Sequence, residues 1–118
     1  SRYLIEGAVV YANAAKMRAC AVPEQMLIDH GAVSEPVARQ LAEGIRQRAE
    51  TTWGVGITGI AGPGGATPDK PVGTVHIAVA GPTGVHHRRL RLPGDRSRVQ
   101  SLSAAAALAM LFRSVTLA

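Results

Sequence analysis

Aromatic side chains make up 3% of the 118-residue chain, at Tyr3, Tyr11, Trp53 and Phe112. So sparse a set leaves the core to aliphatic residues and removes most of the stacking platforms that bind single-stranded nucleic acid. The single cysteine, Cys20, excludes an internal disulfide and a cysteine-based zinc site, and it suits a reducing cytoplasm. No apolar run approaches the roughly 20 residues of a membrane span, and no secretory signal is evident. Acidic residues are also few, eight against thirteen Lys and Arg, for a formal net charge of +5. The excess is local, because residues 86–98 hold five arginines and only Asp95 in opposition. The basic character is therefore a feature of one segment and argues against a nucleic-acid surface spread over the molecule.

With 47% apolar and 18% charged residues, the chain reads as one globular domain over 1–118. Ala8, Val9, Val10 and Tyr11 predict a short buried strand over Glu6–Ala12. Asn13 is a suitable N-cap for a helix that stops before Pro23, and a second helix runs from Pro23 to the Asp29-His30-Gly31 stop. Ser34 and Pro36 open a third helix, along which Val37, Leu41, Ile45 and Ala49 form an i+4 apolar row. Strands are predicted at Trp53–Thr58, Val72–Ala80 and Val85–Leu92, the last two joined as a hairpin through Gly81-Pro82-Thr83-Gly84. Val99, Leu102, Ala106 and Ala109 mark a final amphipathic helix from about Asp95. This order implies an α/β fold of three layers, α/β/α. Its mixed sheet has a parallel pair across the helical crossover and an antiparallel hairpin.

Fourteen residues from Gly59 to Val72 are too rich in Gly and Pro for helix or ladder. Their backbone N–H groups can approach a phosphate or an oxyanion, with Lys70 as a movable charge, although a plain surface crossover accounts for the composition equally well. Gly54, Gly56 and Gly59 satisfy G-x-G-x-x-G but lie within a strand that leads to prolines, so a dinucleotide fingerprint is rejected. A Walker loop is rejected as well, since Lys70 is followed by Pro71. Tyr11 and Lys16 both point toward the loop end of the sheet. The positive helix N-terminus would lower the Lys16 pKa and make its amine a candidate general base. The alternative is a solvated lysine beside a half-buried tyrosine.

Three blocks resemble the carboxy-terminal domain of the competence/damage-inducible CinA family. They are Tyr-Ala-Asn-Ala-Ala-Lys at 11–16, His-Gly-Ala-Val-Ser-Glu-Pro-Val-Ala at 30–38, and the stretch from Gly-Ile-Thr-Gly-Ile-Ala-Gly-Pro-Gly-Gly to Lys-Pro-Val-Gly-Thr-Val at 56–75. A weaker fourth is Pro-Gly-Asp-Arg at 93–96. The resemblance implies a cytoplasmic, homodimeric amidohydrolase that converts nicotinamide mononucleotide to nicotinic acid mononucleotide and ammonia, with no cofactor and no metal. It implies Ser1 as nucleophile, assisted by Lys16 and Tyr11. Substrate contacts fall to Asn13, Thr58, Gly59, Gly62, Gly64, Gly65, Lys70 and Arg96, although Arg96 also reads as a helix-end surface charge. A noncatalytic nucleotide- or partner-binding domain is the other function compatible with these residues. Family members begin earlier, with a helix, a strand and another helix, so the resemblance implies an amino-terminally truncated domain.

The remaining polar residues carry less. Arg89 and Arg91 share a strand face with His87, opposite Arg88, and such a charged edge strand guards against edge-to-edge pairing. His86 and His87 are adjacent, point oppositely and cannot share a metal. His76 is expected to face a helix or the pocket without a catalytic role. Cys20 reads as a small buried hydrophobe.

Overall fold

The structure, a computed structural model, describes residues 4–10 and 13–117. Its elements are α1 (Asn13–Cys20), α2 (Glu24–His30), α3 (Glu35–Ala49), β1 (Gly54–Gly59), β2 (Thr74–Gly81), β3 (Gly84–Arg91) and α4 (Arg96–Thr116). Among the described residues the sheet has three strands in the order β1-β2-β3, antiparallel throughout. The β2–β3 hairpin pairs Gly81 with Gly84, so the two-residue Pro82-Thr83 turn sets every later pair, including His76 with Arg89 and Ala78 with His87.

One face of the sheet receives α3, where Ala38 and Ala42 meet Ala78 and Ala80. The small residues allow a close approach. A Cβ on Gly56 would stand 2.5 Å from the Ala38 carbonyl oxygen, and one on Gly54 would collide with that of Ala42. These glycines thus serve helix–sheet packing inside β1, in agreement with the rejection of a dinucleotide fingerprint. The other face receives α4, whose Val99 and Ala107 pack on Val75 and Ile77. Both helical layers share β2, which is buried at all eight positions, and each fully buried valine or isoleucine there contributes about 1.5–3 kcal/mol. A further cluster of Cys20, Val22, Leu27, Val37 and Leu41 ties α1 and α2 to α3.

The helix boundaries follow their end signals. Pro23 precedes α2, Gly31 closes it with φ +77°, and Asp95 caps α4 by accepting from the Arg98 N–H at 2.9 Å. Ser34 holds the N-cap position of α3, but its hydroxyl donates to the Gly31 carbonyl at 2.8 Å instead of capping the helix.

The sequence reading is corrected in three places. Residues 6–10 of the predicted first strand form no strand, and Leu4, Ile5 and Val9 are exposed. A strand exists only through its ladder, and this segment has no hydrogen-bonded partner strand among the described residues. The expected parallel pair is consequently absent from the described sheet, while the α/β class and the helical layers on both faces hold. Finally, the 21-residue α4 reaches membrane-span length and contains an 18-residue stretch with a mean hydropathy of 1.2. Its Val99, Ser103 and Ala107 are buried in this fold, while Leu108, Phe112 and Val115 on the same helix are exposed.

Candidate functional site

Lys16 lies in the first turn of α1 and is buried, with its Nζ donating to the Val10 carbonyl at 2.8 Å. Burial lowers its pKa below the ordinary lysine value. The direction agrees with the sequence reading, but the cause is desolvation rather than the helix terminus. Asn13, at the start of α1, is exposed. Ser1 and Tyr11 lie outside the described residues.

The glycine-rich loop leaves the sheet between β1 and β2. Its roots are joined by Ile60 N–H to the Thr74 carbonyl at 2.9 Å and Gly73 N–H to the Ile60 carbonyl at 2.8 Å. Thr67 and Lys70 exchange backbone hydrogen bonds of 3.0 and 3.1 Å, which folds the arm back on itself. Gly62 is buried at φ +80°, where a Cβ would press on Val72 at 2.7 Å, so no other residue fits there. Gly59 ends β1, and Gly64 and Gly65 are exposed.

Side chains stitch this loop to the connection between α2 and α3. Lys70 Nζ donates to the His30 carbonyl at 2.7 Å, and Thr58 Oγ1 donates to the Ala32 carbonyl at 2.8 Å. From the opposite layer, Arg96 Nη1 reaches the Gly62 carbonyl in a long contact of 3.4 Å. Blocks 30–38, 56–75 and 93–96 therefore converge at one end of the sheet, with Thr58, Gly62, Lys70 and Arg96 among the expected residues brought together.

A second constellation escaped the sequence reading. On the sheet face under α3, His76 Nδ1 and His87 Nε2 are 2.9 Å apart, and His87 Nδ1 lies 3.6 Å from Glu35 Oε1 at the start of α3. The rings are inclined by only 23°, and their centroid separation of 5.1 Å is near the longest that a 2.9 Å nitrogen contact allows. They meet edge to edge, with a single hydrogen between the facing nitrogens. Burial, then the neighbouring His87, Arg89 and Lys70 charges, lowers the His76 pKa against the pull of Glu35. Burial likewise lowers that of His87, opposed by Glu35. The signal was legible in the turn: the two-residue hairpin loop places His76 and His87 diagonally on one face.

A cleft of about 810 Å³ lies elsewhere, along the edge of β1 not taken by β2. It is lined by Leu4–Ala8, Ile45, Trp53–Ile57, Leu111 and Val115, and by none of the expected site residues. Its lining is mostly apolar, whereas the groups able to hold an anionic substrate lie at the glycine loop. We therefore place the candidate site at the loop.

The family model of the CinA C-terminal domain matches residues 1–115. A CinA-like protein of Anaeromyxobacter sp. (strain K) is 60% identical over 105 residues, covering 89% of this chain and 26% of that protein. A CinA-like protein of Gloeobacter violaceus is 50% identical over 117 residues, covering 98% and 28%. The chain thus spans little more than a quarter of these relatives. Among solved structures, the competence/damage inducible protein CihA from Agrobacterium tumefaciens superposes with a TM-score of 0.85 at 38% identity, covering 88% of this chain and 64% of that one. A CinA superfamily protein from Klebsiella pneumoniae 700603 gives 0.86 at 29% identity, covering 92% and 68%.

Proposed function

This chain belongs to the CinA C-terminal domain family, and from that premise we propose that it is an amidohydrolase that deamidates nicotinamide mononucleotide. The observation that carries the proposal is Lys16, a buried amine with a lowered pKa inside the Tyr-x-x-x-x-Lys block. Lowering the pKa enlarges the neutral fraction of the amine, the form that can accept a proton from a hydroxyl nucleophile. In this mechanism Lys16 takes the proton of Ser1 as its oxygen attacks the carboxamide carbon, and Tyr11 orients the hydroxyl. Backbone N–H groups of Gly59–Gly65 stabilise the oxyanion. The amide nitrogen leaves as ammonia after gaining a proton from solvent, the water that cleaves the acyl-enzyme gives a proton back to solvent, and Lys16 returns its proton to the serine oxygen. Arg96 and Lys70, beside the loop, hold the substrate phosphate. The proposed working form is a homodimer without a cofactor.

Ammonia release from nicotinamide mononucleotide tests the proposal. Lys16→Met, which keeps the stem and removes the amine, should lower kcat by about 100-fold or more. Unchanged activity in that variant would remove Lys16 as base, and loss of activity on chelation would count against the serine mechanism. Nucleotide binding without ammonia release would instead make this a binding domain.

A further inference from the structure

Glu35, His87 and His76 form a line from solvent to the interior. Glu35 is exposed at the head of α3, the His87 side chain is 10% exposed, and His76 is 7% exposed. The inner end of the line is at the candidate site, because His76 is the cross-strand partner of Thr58 and the Lys70 charge acts on it. The facing nitrogens suit a proton and not a metal. A metal seated between edge-to-edge rings would need roughly 4 Å, twice the usual metal–nitrogen length, against the observed 2.9 Å.

We propose that Glu35, His87 and His76 are a proton relay that exchanges protons between solvent and the reacting amide, which rests on the deamidase reading above. As the amide nitrogen departs, His76 Nε2 gives it a proton. His76 Nδ1 takes the hydrogen from His87 Nε2, and His87 Nδ1 is replenished from solvent beside Glu35. When water attacks the acyl-enzyme, its proton enters at His76 Nε2 and the same hops run outward. One proton enters per acylation and one leaves per deacylation, so the tautomers are reset without ring rotation. Lys16 meanwhile exchanges only the serine proton.

Lowered pKa values keep both imidazoles neutral near pH 7, the state in which each ring has one nitrogen to give and one to receive. The groups acting on the pair are Glu35 and Arg39 from α3, Arg89 from β3 and Lys70 from the loop. Of these, only Glu35 pulls protons toward the pair. Its Oε1 lies 3.6 Å from His87 Nδ1, where it attracts the incoming proton, and His87 Nε2 in turn orients His76.

His87→Gln tests the relay, since its amide can still donate to His76 but cannot pass a proton through. The expected result is a drop in kcat of about 10-fold or more with KM unchanged, partly restored by added imidazole. An unaltered kcat, or a loss that imidazole does not restore, overturns the relay. If the wild-type protein releases no ammonia, the deamidase reading fails and the pair is judged by nitrogen-15 NMR. Coupled titration of His76 and His87, reduced to a single titration in His87→Gln, supports proton sharing. Two independent titrations in the wild type refute it.

Discussion

At the scale of single residues, Lys16 and His76 show how burial changes what a side chain can do. The lowered Lys16 pKa was legible in direction from the sequence but not in cause, because desolvation depends on α1 lying against α3. That contact is made through Gly44, where a Cβ would strike the Cys20 carbonyl, and no periodicity within α1 announces it. Burial also fixes a pH dependence for the histidine pair. Unfolded imidazoles titrate near about 6.5, and the folded pair titrates lower. As pH falls through about 6.5, the unfolded chain binds protons that the fold refuses, so stability declines and levels off below the folded pKa values. Urea midpoints from about pH 7.5 to 5 should therefore decline less steeply in His76→Asn than in the wild type, and equal slopes would refute the assignment. Glu35 is held low chiefly by its hydrogen bond from Arg39, so its own contribution is lost only in the more acidic carboxylate range.

At the scale of elements, what could be read from the sequence was whatever repeats locally. The i+4 row of α3, the glycine stop of α2 and the hairpin turn each appear within a residue or two of their expected places. Residues 6–10 form no strand because composition cannot supply a ladder partner. Gly54 and Gly56 lie inside a strand where the dinucleotide fingerprint needs a turn, and their packing role emerges only with α3 laid across them. Gly56→Ala should destabilise the protein by about 1–3 kcal/mol in chemical denaturation, since the new methyl meets the Ala38 carbonyl and the Ala42 amide nitrogen rather than a yielding side chain. A neutral result would mean that α3 can ride up on the sheet. The strand β3 carries its arginines along an exposed edge with the face alternation expected, Arg89 and Arg91 with His87 and Arg88 opposite.

At the scale of the whole molecule, the candidate site is a tertiary fact. His30 and Lys70 are 40 residues apart in sequence, as Gly62 and Arg96 are 34, and only the closed fold sets them together. Recognising the blocks gave a set of expected residues, while the stitching that unites the blocks had no local signature. The two helical layers meet different faces of a sheet whose middle strand they share, and β2 is hydrogen-bonded on both sides and buried along its length. Neither layer can detach without exposing that strand to water. In native-state hydrogen exchange, the β2 amides from Val75 to Ala80 should open only with global unfolding, and their apparent free energy should equal that from denaturant melts. The amides of Gly64, Gly65, Ala66 and Asp69 in the exposed loop arm should exchange at the low end of the same scale. The middle strand then acts as a common clock for both layers, so that a substitution under α3 shortens the protection of amides facing α4 by the same factor.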